Sequence, residues 1–143
     1  MRDILLIGEQ TCDPKDCKIK PLVEHENNMD CRIIVAANGD TVLQTIDQCH
    51  ERIQAVIIDS RIRINRPTPY QYGTTRPESG KHVIAARIRT TSIPNFAIFQ
   101  TSVSSTDISD DLANVEILST HEDLQAFLKC VAKNSDILLQ AMS

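Results

Sequence analysis

Aromatic residues and long hydrophobic runs are both scarce in this chain. Only 3% of its 143 residues are Phe, Tyr or Trp, and Trp does not occur. The core must therefore be aliphatic, and stacking platforms for single-stranded nucleic acid are not expected. Every uncharged run falls short of the roughly 20 residues that a membrane-spanning helix needs. The first apolar run reaches Glu9 too soon for a signal peptide, so we expect a cytoplasmic protein.

The chain also lacks an overall positive charge and paired cysteines. Its formal net charge is -4, which argues against nucleic acid as a partner. Its five cysteines are an odd number without paired spacing, so we expect them to be reduced. The histidines do not have the spacing of metal ligands, and neither a G-x-G-x-x-G motif nor a P-loop lysine occurs. The composition therefore excludes membrane, secreted and disordered proteins, and the usual signatures of nucleotide binding are missing.

Five short apolar runs carry the signal for the fold. Each is continuous rather than alternating, which is typical of strands buried on both faces of a parallel sheet. The predicted strands span residues 4–7, 32–37, 55–58, 96–99 and 115–118.

Helical periodicity fills the connections between these strands. It covers residues 41–52, where Asp40 is the expected N-cap, and residues 79–89. The clearest helix is the last, which follows two overlapping capping boxes. The first crossover is weaker because Pro21 would interrupt a helix, and the fourth, at 106–114, is short and polar. This alternation predicts an α/β fold: a doubly wound, flavodoxin-like sheet of five parallel strands in the order 2-1-3-4-5.

One segment, residues 60–78, breaks the alternation. It is rich in proline and too long for an ordinary connection, so we interpret it as a surface loop insertion. Residues 61–89 contain seven basic residues and one acidic residue, which indicates a docking surface for an acidic partner or an anion. A solvated loop without a partner is the alternative. The expected docking residues are Arg61, Arg63, Arg66, Tyr70, Tyr72 and Arg76.

Two acidic residues follow neighbouring strands of the predicted sheet. Ligands bind such sheets outside the carboxyl ends of the strands, and in this strand order Glu9 and Asp59 converge there. Carboxylates combined with backbone carbonyls and water are the ligands that Mg²⁺ prefers. The sequence therefore predicts a candidate Mg²⁺ site in which a carboxylate could attack a phosphoryl donor.

Four segments of the chain share a pattern with one known family. They are residues 4–9 (ILLIGE), 36–40 (AANGD), 53–59 (IQAVIID) and 80–89 (GKHVIAARIR). Together they resemble the receiver domain of bacterial two-component response regulators, and the likeness extends over residues 3–133. The resemblance implies a signalling module that interacts with a histidine kinase or an output partner and is not an enzyme.

The resemblance also implies roles for individual residues. Asp59 matches the phosphoacceptor aspartate, and Glu9 matches the second of the two acids that hold Mg²⁺. The backbone carbonyl of Arg61 matches the third protein ligand of the metal. Thr101 matches the hydroxyl residue that contacts the phosphoryl group and acts as a switch, although a second way of counting places Phe99 there.

Two departures from the family pattern stand out. Gly8 occupies the position of the first acid, and no lysine occurs between Lys81 and Lys129, so the lysine expected after the fifth strand is missing. The missing lysine removes a charge-assisted contact to the acyl phosphate. The missing acid predicts weak Mg²⁺ binding at most. Such members of the family are called pseudo-receivers, and they act mainly through protein contacts.

Three functions therefore compete. The first is a pseudo-receiver that binds a signalling partner with phosphorylation impaired or absent, and the second is a working phosphoacceptor at Asp59. The third is a flavodoxin-like binder of a small molecule, which the carboxylates of the loop after the first strand disfavour. We assign residues 1–134 to the domain and residues 135–143 to a helix extension or the start of a linker. Exposed apolar residues on the last helix would favour a homodimer.

Overall fold

Five parallel strands form one sheet at the centre of the protein. The computed structural model describes residues 2–9, 18–26, 31–67, 75–100 and 115–142. In chain order, the elements are β1 (Ile4–Gly8), α1 (Ile19–Glu26), β2 (Arg32–Ala36), α2 (Gly39–Cys49), β3 (Ile53–Asp59), β4 (Arg63–Pro67), β5 (Thr75–Ser79), α3 (Lys81–Arg89), β6 (Asn95–Phe99), β7 (Glu116–Leu118) and α4 (His121–Met142). A single 3-10 turn, His50–Arg52, joins α2 to β3.

The order of the strands in the sheet is β2-β1-β3-β6-β7, with every pair parallel. This is the predicted order 2-1-3-4-5 once the two strands of the insertion are counted separately. The predicted doubly wound α/β fold is therefore confirmed. β3 lies at the centre and all seven of its residues are buried, as expected for a strand covered on both faces.

The core lies in two layers, one on each face of the sheet. Successive residues of a strand point to opposite faces, so Leu6 packs with residues of α2 and α3 while Leu5 packs with residues of α1 and α4. Both layers consist almost entirely of aliphatic side chains, and Phe127 is a fully packed aromatic in the second layer. The aliphatic core expected from the composition is thus the one that forms.

Two helix starts differ from the sequence predictions. Pro21 does not interrupt α1, because the helix begins at Ile19 and Pro21 lies in its first turn, where a backbone N–H has no partner inside the helix. Asp40 is not the N-cap of α2. That position belongs to Asn38, whose Oδ1 accepts a hydrogen bond of 2.8 Å from the backbone N–H of Thr41.

The insertion is not a loop throughout. It contains the antiparallel pair β4 and β5, in which Arg63 pairs with Ser79 and Pro67 pairs with Thr75. The buried side chains of Ile62 and Ile64 fix the first arm of this hairpin to the rest of the protein.

The last helix, α4, continues to Met142 and so includes most of the predicted extension at 135–143. The domain limit at residue 134 stays a prediction. Among the residues that the structure describes, no helix is long and apolar enough to cross a membrane.

Candidate functional site

The carboxyl ends of β1 and β3 bring two acidic residues to the same edge of the sheet. Gly8 of β1 pairs with Ile58 of β3, so the residues that follow them, Glu9 and Asp59, leave neighbouring strands together. Both are buried, with 5% and 6% of their surface exposed. The structure therefore places these two predicted site residues side by side at the edge where sheets of this type bind ligands.

A buried lysine at this edge was not predicted as a site residue. Lys81 is the first residue of α3 and is only 7% exposed. Among the side chains that the structure describes, the buried charged ones are Glu9, Asp59 and Lys81. Charged residues are seldom buried, and their concentration at one sheet edge marks it as the candidate functional site.

The carboxylate of Asp59 is bonded within its own turn. Its Oδ1 accepts hydrogen bonds from the backbone N–H of Arg61 at 2.8 Å and from Nε of Arg61 at 3.3 Å. Its Oδ2 accepts a hydrogen bond from Nη2 of Arg61 at 3.3 Å. The backbone carbonyl of Asp59 also accepts a hydrogen bond of 3.0 Å from the N–H of Ile62, which closes the turn. Asp59 thus caps the turn that begins the insertion.

The ion pair between Asp59 and Arg61 joins a buried anion to an exposed cation. The side chain of Asp59 is 8% exposed, whereas that of Arg61 is 64% exposed. The hydrogen bonds and the charge of Asp59 raise the pKa of Arg61 above its ordinary value, and the charge of Glu9 adds to the effect. The guanidinium of Arg61 therefore balances the negative charge of the buried Asp59.

Glu9 holds the start of a helix. Its Oε2 accepts hydrogen bonds from the backbone N–H groups of Lys18 at 2.8 Å and Ile19 at 3.0 Å. N–H groups at the N-terminus of a helix have no carbonyl partner within the helix, so Glu9 supplies the acceptor that α1 lacks there. The helix dipole also favours a carboxylate at this end. Glu9 therefore contributes to the fold of α1 as well as to the charge of the site.

Gly8 occupies a closed position beside Glu9. A Cβ atom at Gly8 would lie 2.5 Å from Cγ2 of Val42, 2.8 Å from Cδ1 of Ile62 and 3.0 Å from Cγ2 of Ile58. Real side chains do not approach so closely, so even alanine would force these neighbours to move. The position that the resemblance assigns to the first acid is filled by apolar side chains from α2, from β3 and from the start of the insertion.

The insertion is fastened to this edge of the sheet through two more glycines. Cγ2 of Ile64 would lie 2.5 Å from a Cβ at Gly39 and 3.0 Å from one at Gly80. The N–H of Gly80 donates a hydrogen bond of 2.9 Å to the carbonyl of Ile62, and the N–H of Asn65 donates one of 3.1 Å to Asp40. The first arm of the hairpin therefore packs directly over the start of α2.

A sequence signal for this contact was available. Residues 61–65 read Arg-Ile-Arg-Ile-Asn, and this alternation of polar and apolar residues is typical of a half-buried strand. Ile62 and Ile64 are the residues that it would have identified. The length of the segment and its prolines instead favour the interpretation as a loop.

The remaining predicted site residues are only partly described. Arg61 and Arg63 are exposed on the first arm of the hairpin, and the backbones of Arg66 and Arg76 pair across it. The side chains of Arg66 and Arg76 lie outside the described residues, as do Tyr70, Tyr72 and Thr101. So does the loop of residues 10–17, on which the flavodoxin-like alternative depends.

The donor set at this edge fits Mg²⁺ poorly. A cation held by the predicted ligands, Glu9, Asp59 and the carbonyl of Arg61, would compete with Arg61 for Asp59 and with the start of α1 for Glu9. Within the described ranges, no group of three or more His, Cys, Asp or Glu residues is arranged to hold a metal ion.

Comparison with known proteins identifies the architecture. No protein-family model matches the sequence, and no curated protein matches it either. Among solved structures, a response regulator receiver domain protein from Clostridium thermocellum is similar over 96% of this chain and 99% of that chain, with a TM-score of 0.64 and 16% identity. The fold is that of a receiver domain.

Two further structures show how widely this receiver fold is used. The phosphorylated cyanobacterial phytochrome response regulator RcpA has a TM-score of 0.59 and 14% identity, over 99% of this chain and 96% of that chain. The lysine decarboxylase LdcF of Francisella novicida has a TM-score of 0.58 and 14% identity, over 93% of this chain but only 17% of the enzyme. At these identities the likeness establishes the receiver fold alone, so function has to be argued from the site.

Proposed function

We propose that this chain is a receiver-like signalling module of a two-component system that acts through protein contacts, with phosphorylation of Asp59 impaired. Similarity to receiver domains over nearly the whole chain supports the first part of the proposal. The position of Asp59, buried at the carboxyl end of the central strand, supports descent of the site from a phosphoacceptor. The module binds rather than catalyses, and we place it in the cytoplasm.

The observation that best supports impaired phosphorylation is the lack of space for a side chain at Gly8. Phosphoryl transfer to a carboxylate needs a divalent cation to neutralise the charge that gathers there. A second acid beside Glu9 would strengthen such a site, but Val42 and Ile62 fill the space that its side chain would need. The pseudo-receiver function therefore accounts for the packing at this edge better than the phosphoacceptor function does.

The proposed partner is another signalling protein, either a histidine kinase or an output protein. The exposed Arg63 supplies positive charge on a protein whose net charge is -4, and Arg61 remains 64% exposed to a partner while it is paired with Asp59; both suit an acidic surface on the partner. Association of two copies through α4 is the alternative mode of contact. Neither nucleic acid nor a membrane is part of the proposal.

Incubation with acetyl phosphate and Mg²⁺, followed by intact-protein mass spectrometry, tests the impaired phosphorylation. We expect no added phosphoryl group on the wild-type chain under conditions that label a phosphorylatable receiver domain run in parallel. The Asp59→Asn variant is the matched control. An acid-labile phosphoryl group that appears on the wild type and is lost in Asp59→Asn would overturn the proposal in favour of a working phosphoacceptor.

A further inference from the structure

The candidate site contains a positively charged group of its own, the guanidinium of Arg61. Arg61 is two residues from Asp59, and its guanidinium contacts both carboxylate oxygens at 3.3 Å. The same turn supplies a backbone N–H to Oδ1, so the carboxylate has a donor on each oxygen before any ligand arrives. Asp59 is therefore neutralised by its own chain.

The short tether makes Arg61 an effective competitor. Because only Ser60 separates the two residues, the guanidinium does not have to be recruited from solution, and its effective concentration at the carboxylate is high. Arginine also keeps its charge at any pH at which the protein is folded, and its planar fork matches a carboxylate.

We propose that the guanidinium of Arg61 is the resident counter-ion of Asp59 and excludes Mg²⁺ from the site. The inference rests on the proposed function of this site and deepens it by naming the group that blocks the cation. Mg²⁺ needs oxygen ligands that are free to approach it, and here it must first displace Arg61 from Asp59. The backbone carbonyl of Arg61 stays available when the side chain is removed, so a substitution at this position tests the contribution of the side chain to the block.

The test is a titration with Mg²⁺ followed by ¹⁵N NMR, using the full chain and the Arg61→Ala variant. We expect Arg61→Ala to bind Mg²⁺ about tenfold more tightly than the wild type, with shifts centred on Asp59 and Glu9. This factor corresponds to the loss of one charge-assisted competitor at a partly exposed site. Mn²⁺ broadening of the same resonances provides a second readout that does not depend on phosphorylation.

Three further variants separate the competing explanations. Arg63→Ala removes the same charge from the neighbouring exposed arginine, and we expect its affinity for Mg²⁺ to stay within twofold of wild type. Arg61→Lys keeps the charge but loses the planar fork, so its affinity should fall between wild type and Arg61→Ala. Arg61→Ala combined with Asp59→Asn should lose the gain completely. Because the side chain of Arg61 is 64% exposed, the variants that replace only Arg61 should fold, and Asp59→Asn alone, with its ¹⁵N spectrum, controls for the fold of the double variant.

The outcomes distinguish this inference from the proposed function. If Arg61→Ala and Arg63→Ala bind Mg²⁺ equally, or if Arg61→Ala binds no better than wild type, Arg61 is not the block and the inference is wrong. In either case the proposed function stands, because the closed position of Gly8 does not depend on Arg61. If instead the wild type is itself phosphorylated at Asp59, the proposed function fails whatever Arg61→Ala does.

Discussion

The Cδ1 atom of Ile62 lies 2.8 Å from the position that a β-carbon on Gly8 would occupy. Ile62 belongs to the insertion, and Gly8 is the last residue of β1, so a residue of the inserted segment fills the space beside the first strand. The insertion is thus built into the candidate site. Its first arm also contacts the starts of α2 and α3 through Ile64.

The three glycines that contact the insertion should differ in their response to alanine. We expect Gly8→Ala to lower the free energy of unfolding by about 1–3 kcal/mol, because overpacking forces neighbouring side chains to move. Gly39→Ala should cost at least as much, since one close neighbour is the backbone carbonyl oxygen of Arg63 at 2.6 Å. Gly80→Ala should cost least, because its nearest contact is 3.0 Å. Urea denaturation measures all three, and equal costs for Gly80→Ala and Gly8→Ala would contradict this order.

Replacing Asn38, the N-cap of α2 in the structure, should destabilise the protein more than replacing Asp40, the N-cap predicted from the sequence. Asn38→Ala deletes the acceptor for the N–H of Thr41, and we expect a loss of about 1 kcal/mol in the free energy of unfolding. Asn38→Asp keeps an acceptor and should cost less than half as much. Hydrogen exchange at the Thr41 amide should accelerate in Asn38→Ala. If Asp40→Ala accelerated it instead, the assignment of the cap would be wrong.

Asp123 should make stability depend on pH in the acid range. The backbone N–H groups of Ser119 and Thr120 hold the pKa of Asp123 below its ordinary value of 3.8, with the hydroxyl of Thr120 adding to the effect. A lowered pKa in the folded state means that this stabilisation is present above the unfolded pKa and is lost as the pH falls through the folded value. The difference in urea midpoint between wild type and Asp123→Asn should therefore be largest near neutral pH and shrink in acid. A difference in urea midpoint that stays constant with pH would show that the carboxylate of Asp123 does not stabilise the fold.

The sheet and its strand order could be predicted from the sequence, but the contacts between side chains in the site could not. Continuous apolar runs such as that ending in Ile58 indicate burial on both faces, and their alternation with helical periods predicts parallel strands and the edge where Asp59 emerges. Whether Asp59 faces a metal or Arg61 depends instead on the shape of one turn. Both Asn38 and Asp40 are suitable caps by residue type; in the structure Asn38 accepts the N–H of Thr41, while Asp40 lies inside the helix and accepts the N–H of Asn65.

Ile64 should control the attachment of the hairpin to the domain. It is 4% exposed and packs against Gly39 and Gly80, so Ile64→Ala removes the side chain that fills both positions. We expect a cost of about 2–5 kcal/mol, as for other large-to-small substitutions in a core. The loss should be local as well as global, because β4 and β5 form a separate two-stranded sheet, and such a sheet depends on packing against the rest of the domain. Hydrogen exchange should accelerate more at Asn65, whose amide bonds Asp40 of α2, and at Gly80, whose amide bonds Ile62 at the base of the hairpin, than at Leu6 in the central sheet. Equal acceleration at all three amides would show that the hairpin unfolds only together with the whole domain.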